Sequence, residues 1–190
     1  MDRRTTITDA AIATLAANGM RGFTHRAVDR AADLPEGSTS YYFRTREALL
    51  AATLDRMAAL DMADAGHLPG LGGVAGMDEL TDLLTALVKR WVTTARDRTL
   101  ARYELSLETA RRPELRATME RLGGGFRLMA EQFLRAAGAD EPERRGRAMV
   151  SYIDGLVFHQ ILQIGAGEFS PAELRAACRD LLLTSCQQDA

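Results

Sequence analysis

Apolar residues recur along this chain at the spacing of helices, and no stretch alternates as a strand does. Ile7, Ala11 and Leu15 make the first stripe, which Asn18-Gly19 ends as a C-terminal cap. Thr24 is placed to N-cap a second helix running through Val28 and Ala31 to Ala32. Asp33-Leu34 makes a tight turn, and a short third helix follows from Pro35 to Tyr42. The fourth runs from about Thr45 to Ala65, with Leu49, Leu50, Leu54 and Met57 facing inward. Five glycines in residues 66–76 (GHLPGLGGVAG) then mark a linker or loop. Beyond it, Leu80, Leu84, Leu87 and Trp91 form one stripe, and Leu100, Tyr103 and Leu107 another. Pro113 breaks that helix and opens the next, which reaches about Ala137 with an interruption at Gly123-Gly124-Gly125. That run marks either close helix packing or a break at a pocket mouth. Pro142 opens a long helix ending at Gly165, and Ser170-Pro171 starts the last, striped by Leu174, Cys178, Leu181 and Leu182. The expectation is an all-α protein of about nine helices.

One element resists its own assignment. In PEGSTSYY, residues 35–42, Gly37, Ser38, Thr39 and Ser40 are mediocre to poor helix formers. Two short helices meeting at a two-residue turn behind a longer one make a helix-turn-helix pattern. In that unit the later short helix enters the major groove, and its first turns meet base edges. The composition then has a purpose. Gly37 lets backbone approach DNA. Ser38, Thr39 and Ser40 offer short hydroxyls to phosphates or base edges. Tyr41 and Tyr42 bring flat faces for thymine methyls and hydroxyls for phosphates. Glu36 suits the helix start and can accept from a cytosine amino group. Thr24, His25 and Arg26 at the start of the preceding helix, with Arg44 and Arg46 just after, would hold the DNA backbone. Leu34 and Phe43 would pin the ends to the small core. On spacing alone, the same stretch also reads as a solvated loop between two core helices.

The segment GFTHRAVDRAADLPEGSTSYYFRTREALL, residues 22–50, resembles the N-terminal domain of tetracycline-repressor-like (TetR family) transcriptional regulators. The likeness lies in Gly22, Thr24, Ala31-Ala32, Gly37 to Thr39, Tyr41 to Phe43, Arg46 and Ala48 to Leu50. Asp33 stands where the family usually has a turn glycine, and Asp accepts left-handed backbone. Ser40 stands where tyrosine is frequent, so one phosphate contact is not carried over, and Arg46 replaces the usual lysine. RYELSLETARRPELR (102–116) and DGLVFHQILQ (154–163) resemble a common subgroup.

The resemblance implies a DNA-binding domain over residues 1–46 and a ligand-binding and dimerisation domain over 47–190. MVSYIDGLVFHQILQIG, residues 149–165, is apolar nearly all round, which suits a helix buried on two sides. By resemblance, the last two helices pair with their mates as a four-helix bundle, through Tyr152, Leu156, His159, Gln160, Leu174, Cys178 and Leu181. Two recognition helices then address a near-palindromic double-stranded operator. The competing expectation is one thick core in a monomer, and His159 with Asp154 reads as a satisfied core or dimer-interface pair. The resemblance also implies a pocket for a largely apolar effector, with Met57, Trp91, Tyr103, Leu107, Phe126, Met129, Phe133 and Phe158 as candidate walls beside Leu100. Each of these also reads as plain core. Glu104 falls between Leu100, Tyr103 and Leu107 and is expected near the apolar face, paired with an arginine such as Arg127 or with a cationic ligand.

Bulk chemistry changes this picture little. Net charge is −2 over 190 residues, so any nucleic-acid face must come from local placement. Cys178 and Cys186 are eight apart in one helix, about 12 Å, beyond the ~7 Å a disulfide allows. No run approaches the ~18 apolar residues of a membrane helix, and MDRRTTITDAA lacks the apolar centre of a signal peptide, so a cytoplasmic protein is expected. There is no phosphate loop, no Cys/His metal spacing and no nucleophile motif, hence no enzyme, cofactor or metal is expected. Glu104 and Glu108 share a helix face, but Glu108 can pair with Arg112 at its surface. The expected function is a homodimeric, ligand-released transcriptional regulator, a repressor in sign. The alternative is a helical small-molecule-binding protein or enzyme without DNA binding.

Overall fold

The computed structural model describes residues 2–66, 76–111, 116–163 and 169–186. Among them are nine helices and no strand: α1 (Arg3–Gly22), α2 (His25–Ala31), α3 (Ser38–Tyr42), α4 (Arg46–Gly66), α5 (Met77–Val92), α6 (Arg96–Arg111), α7 (Arg116–Ala136), α8 (Pro142–Leu162) and α9 (Pro171–Cys186). The expected break at Pro113 and most of the glycine-rich segment after Gly66 lie outside the described residues.

Contacts divide the chain into two compact units, Met1–Asp61 with Ala95–Gly123, and Met62–Thr94 with Gly124–Ala190. In the first unit α1 packs on α2 and α6, and α2 on α3. Ile7, Ala11, Leu15, Phe23, Val28, Leu49 and Met57 are fully buried there. Burying each such large side chain contributes roughly 1.5–3 kcal/mol. The predicted end of α1 at Gly19 is a kink: Gly19 adopts φ 59°, and one more short turn carries the helix to Gly22. A Cβ at Gly19 would stand 3.1 Å from the Glu104 carboxylate, so α6 approaches α1 closely at this point. Ion pairs add to the frame. Arg56 of α4 holds Asp9 of α1 through two bonds of 2.7 and 3.1 Å. Arg98 of α6 meets Asp61 of α4 at 2.7 Å, both side chains nearly buried.

The second unit joins α5, α8 and α9. Leu80, Leu84, Leu87 and Trp91 of α5 are buried as their spacing predicts. Met149, Ile153 and Val157 of α8 and Leu174, Cys178 and Leu182 of α9 complete that core. α9 begins with a reciprocal cap. Ser170 Oγ accepts from the Glu173 amide, and the Glu173 carboxylate accepts from the Ser170 amide. Both cysteines are free thiols, and burial pushes each pKa up.

Three sequence expectations are corrected. α7 runs unbroken through Gly123-Gly124-Gly125. The helix tolerates a propensity loss of roughly 1 kcal/mol per glycine because Met129, Ala130, Phe133 and Leu134 beyond it are buried. A Cβ at Gly125 would touch Met62, so close packing accounts for at least this glycine. On α6 the buried face is not Leu100, Tyr103 and Leu107 but Arg98, Thr99, Ala101, Arg102 and Leu105. Ala101 is small, and the arginines bury their stems while Arg98 reaches Asp61 of α4; Leu107 is left 60% exposed. Glu104 is therefore exposed and lies in the first unit, while Arg127, in the second, pairs with Glu131. No buried acid awaits a cation at position 104.

Candidate nucleic-acid interface

The geometry of the head begins with caps. The Thr24 hydroxyl accepts from the Ala27 amide and starts α2. Asp33 takes the left-handed turn conformation at φ 51°. The third helix is shorter than predicted, starting at Ser38 rather than Pro35. Residues 35–37 form a turn that ends on Gly37 at φ 93°, where a side chain would be strained.

A residue that sequence reasoning missed sets this arrangement. Asp29 of α2 is 2% exposed. Its two carboxylate oxygens accept from the Gly37 and Thr39 amides at 2.8 and 2.7 Å. One side chain thus caps α3 and fixes it against α2. Burial pushes the Asp29 pKa up, but the bonds donated by Thr39 and Gly37 and the charge of His25 outweigh it and hold the pKa below the usual value. The only available signal was an acid at an otherwise apolar face of a short helix.

The predicted DNA residues separate into two groups. Tyr41 is 81% exposed, and Glu36, Gly37, Arg26 and Arg44 are exposed too. Arg26 meets Glu36 at 3.3 Å across the turn, both about 70% exposed. A solvated pair of this kind is worth well under about 1 kcal/mol and opens readily. Tyr42 is half-buried, edge-on to Tyr41 with centroids 5.1 Å apart. Ser38, half-buried, donates its hydroxyl to the Pro35 carbonyl at 2.6 Å.

The second group is spent inside the head. Thr39 is fully buried, so its side chain is not a base contact; it faces α2 because Asp29 draws its amide inward. His25 Nε2 lies 2.7 Å from the Phe43 carbonyl and joins the start of α2 to the end of α3. Arg46 donates from Nε to the Phe23 carbonyl at 3.0 Å and from Nη2 to the Met20 carbonyl. It closes the end of α1 rather than standing free for phosphate. Arg4, also missed, lays its guanidinium 5.1 Å from the Phe43 ring and 5.9 Å from the Tyr42 ring.

These placements separate stability from DNA contact. Arg46→Ala is expected to lower unfolding stability by about 1–2 kcal/mol, having lost two carbonyl partners. Arg44→Ala, at an exposed position, should change stability by less than about 0.5 kcal/mol and act only on DNA affinity. Denaturant titration beside an operator-binding assay reads both.

The predicted ligand residues do not share a unit. Met57, Tyr103, Glu104 and Leu107 fall in the first, and Trp91, Phe126, Met129, Phe133 and Phe158 in the second. In the second, Trp91 and Phe126 meet edge-on with centroids 5.6 Å apart. Among the described residues no His/Cys/Asp/Glu group is arranged to hold a metal ion.

Comparison with known proteins agrees with this head. The family described as "Bacterial regulatory proteins, tetR family" matches residues 7–53, and "Tetracyclin repressor-like, C-terminal domain" matches residues 75–184. The chain belongs to the tetracycline-repressor-like family. Among solved structures, a TetR family member from Streptomyces coelicolor A3 is 27% identical, with 99% of this chain and 100% of that one covered and a TM-score of 0.75. The multidrug binding protein EbrR, solved with imidazole, is 27% identical over 100% of this chain and 96% of that one, TM-score 0.69. EbrR with malachite green gives 27% over 99% and 100%, also at 0.69. No curated protein matches significantly. The helix-turn-helix of this TetR-family chain is thus the DNA-binding head of a ligand-responsive transcriptional regulator. No described helix is long and apolar enough to cross a membrane.

Proposed function

We propose that the protein is a homodimeric repressor in the cytoplasm, without enzymatic activity, that a small molecule releases from a near-palindromic operator. The observation that carries the reading is the Asp29 clamp, which holds α3 against α2 with Tyr41 outward, while Arg26 and Arg44 are exposed as well. A rigid short helix with outward aromatic and hydroxyl groups, flanked by arginines, suits major-groove entry. The DNA-reading part is residues 1–46, and ligand binding and dimerisation belong to 47–190.

The dimer face is the outer arc of α8. Tyr152, Gly155, His159 and Leu162 lie on it at helical spacing, with Tyr152 51% and Leu162 43% exposed. Gly155 has open space in front of it, which favours close approach of a mate helix. Three residues expected in a dimer interface of the last two helices are corrected, because the core of the unit takes them up. Gln160 is buried and accepts from the Phe169 amide, and Leu174 and Cys178 are buried against their own unit. Leu156, on α8, and Leu181, on α9, are half-buried.

The effector is a flat, largely apolar molecule that meets the Trp91–Phe126 pair; the dye-binding relative supports this class. Release works through α4. Its first residue holds the carbonyls of Met20 and Phe23, Arg56 holds Asp9, and Asp61 holds Arg98. A shift of α6 or α4 is thereby passed to the end of α1 and to the head, so the effector favours a state whose half-site spacing no longer fits.

The protein should retard DNA from upstream of its own gene, less so at higher salt. Tyr41→Ala should weaken retardation without loss of folding. Trp91 is the single tryptophan, so malachite green or ethidium should quench its emission and release the DNA together. Failure to retard any fragment of the source genome refutes the regulatory reading; quenching without release refutes the coupling.

A further inference from the structure

A cleft of about 660 Å³ opens on the first unit, outside the residues that read bases. The end of α1 supplies Arg21 and Phe23, the start of α2 supplies Thr24, α4 supplies Arg46, and the last turn of α6 supplies Glu108 and Arg111. Phe23 is fully buried and forms an apolar floor. Arg21 is exposed, and Arg111 keeps 72% of its side chain exposed, 3.7 Å from Glu108.

The charges decide what the cleft accepts. Three guanidinium groups face one carboxylate. The C-terminal ends of α1 and α6 also point here, each equivalent to about −0.5 charge. Among the lining residues a surplus of about +1 remains after both are counted. Arg46 has two of its nitrogens on carbonyls and Arg111 turns one toward Glu108, so Arg21 and the other nitrogens of Arg111 supply the remaining donors. Their planar forks and the Thr24 hydroxyl line one cleft, a donor set that suits the several oxygens of one phosphate. Thr24 is also only two residues before Arg26 of the DNA-reading face.

We propose that this cleft seats a phosphate group, either from the operator backbone or from a phosphorylated small molecule. Arg21 and Arg111 are its ligands, Thr24 a third donor. Because Arg111 closes α6 while Thr24 opens α2, occupancy ties α6 directly to the head.

The test uses the full chain and the double variant Arg21→Ala/Arg111→Ala, with far-ultraviolet circular dichroism to confirm folding. Pyrophosphate is titrated calorimetrically without DNA, and operator affinity is measured against salt. Arg21→Lys/Arg111→Lys, which keeps charge but not forks, should fall between wild type and the alanine variant. Pyrophosphate affinity about tenfold or more weaker in the alanine variant, with an unchanged salt slope, assigns the seat to a free phosphorylated molecule. A log–log salt slope shallower by about one per protomer, with pyrophosphate competing against operator, assigns it to the DNA backbone. The proposal is overturned when the salt slope is unchanged and pyrophosphate either does not bind or binds the alanine variant as well as wild type. The operator arm rests on the DNA-binding reading, and the pyrophosphate arm does not. A wild type that retards no DNA therefore refutes that reading while leaving the pyrophosphate result interpretable.

Discussion

Asp29→Ala is expected to destabilise the protein by about 1.5–3 kcal/mol, the range for hydrogen bonds to a charged acceptor, and to abolish specific operator retardation. Two backbone amides, those of Gly37 and Thr39, lose their acceptor together. The Thr39 amide is buried, so water does not readily replace the carboxylate. The two effects separate in a simple way. Stability is read by denaturant titration. Retardation is read at a temperature where the variant is still folded, and its loss there reports a disordered α3. Asn at position 29 keeps one acceptor oxygen and should retain part of both properties.

The same clamp sets an acid dependence. The folded-state pKa of Asp29 is lowered, so its contribution is present above the unfolded value of about 3.9 and is lost as pH falls through the folded value. Wild type should therefore lose stability relative to Asp29→Asn as pH falls below about 4, read by denaturant titration at each pH, and a difference that stays unchanged down to about pH 2 would overturn the assignment.

What was legible in the sequence followed from local chemistry. The cap at Thr24, the turn at Asp33 and the start of α9 at Ser170 each rest on one or two residues whose backbone preferences are strong, and Gly19, expected to end α1, kinks it instead. What was not legible came from tertiary contacts. Gly123-Gly124-Gly125 looked like a break, but burial of the residues that follow keeps α7 intact. Leu107 looked like core because its spacing from Leu100 and Tyr103 is helical, yet α6 turns a face of small residues and arginine stems inward. Within the head, the pattern identified the recognition helix but not its internal bonds. Thr39, His25 and Arg46 have the chemistry of DNA ligands, and the partners that hold them lie between 10 and 26 positions away in the chain. Side-chain type marks what a residue can bind, and only packing decides whether it is still free to do so.

Charging the outer arc of α8 should have the second large effect. Tyr152→Glu with Leu162→Glu places two carboxylates on a surface whose neighbours are Gly155 and His159. Both positions are substantially exposed within one protomer, so the fold of the unit has little to lose. A dimer formed through this arc would bury both charges against their symmetry copies, where unpaired carboxylates cost several kcal/mol each. Sedimentation equilibrium should show a monomer in place of a dimer at micromolar concentrations. Operator affinity should fall by about 10²- to 10⁴-fold, because each head then binds its half-site without the effective concentration its partner supplies. Thermal stability extrapolated to low protein concentration should match wild type. A variant that remains dimeric places the interface elsewhere. One that becomes monomeric yet binds the operator unchanged removes the need for two half-sites. The control is Leu174→Glu on α9, a buried position, which should unfold the second unit rather than dissociate it.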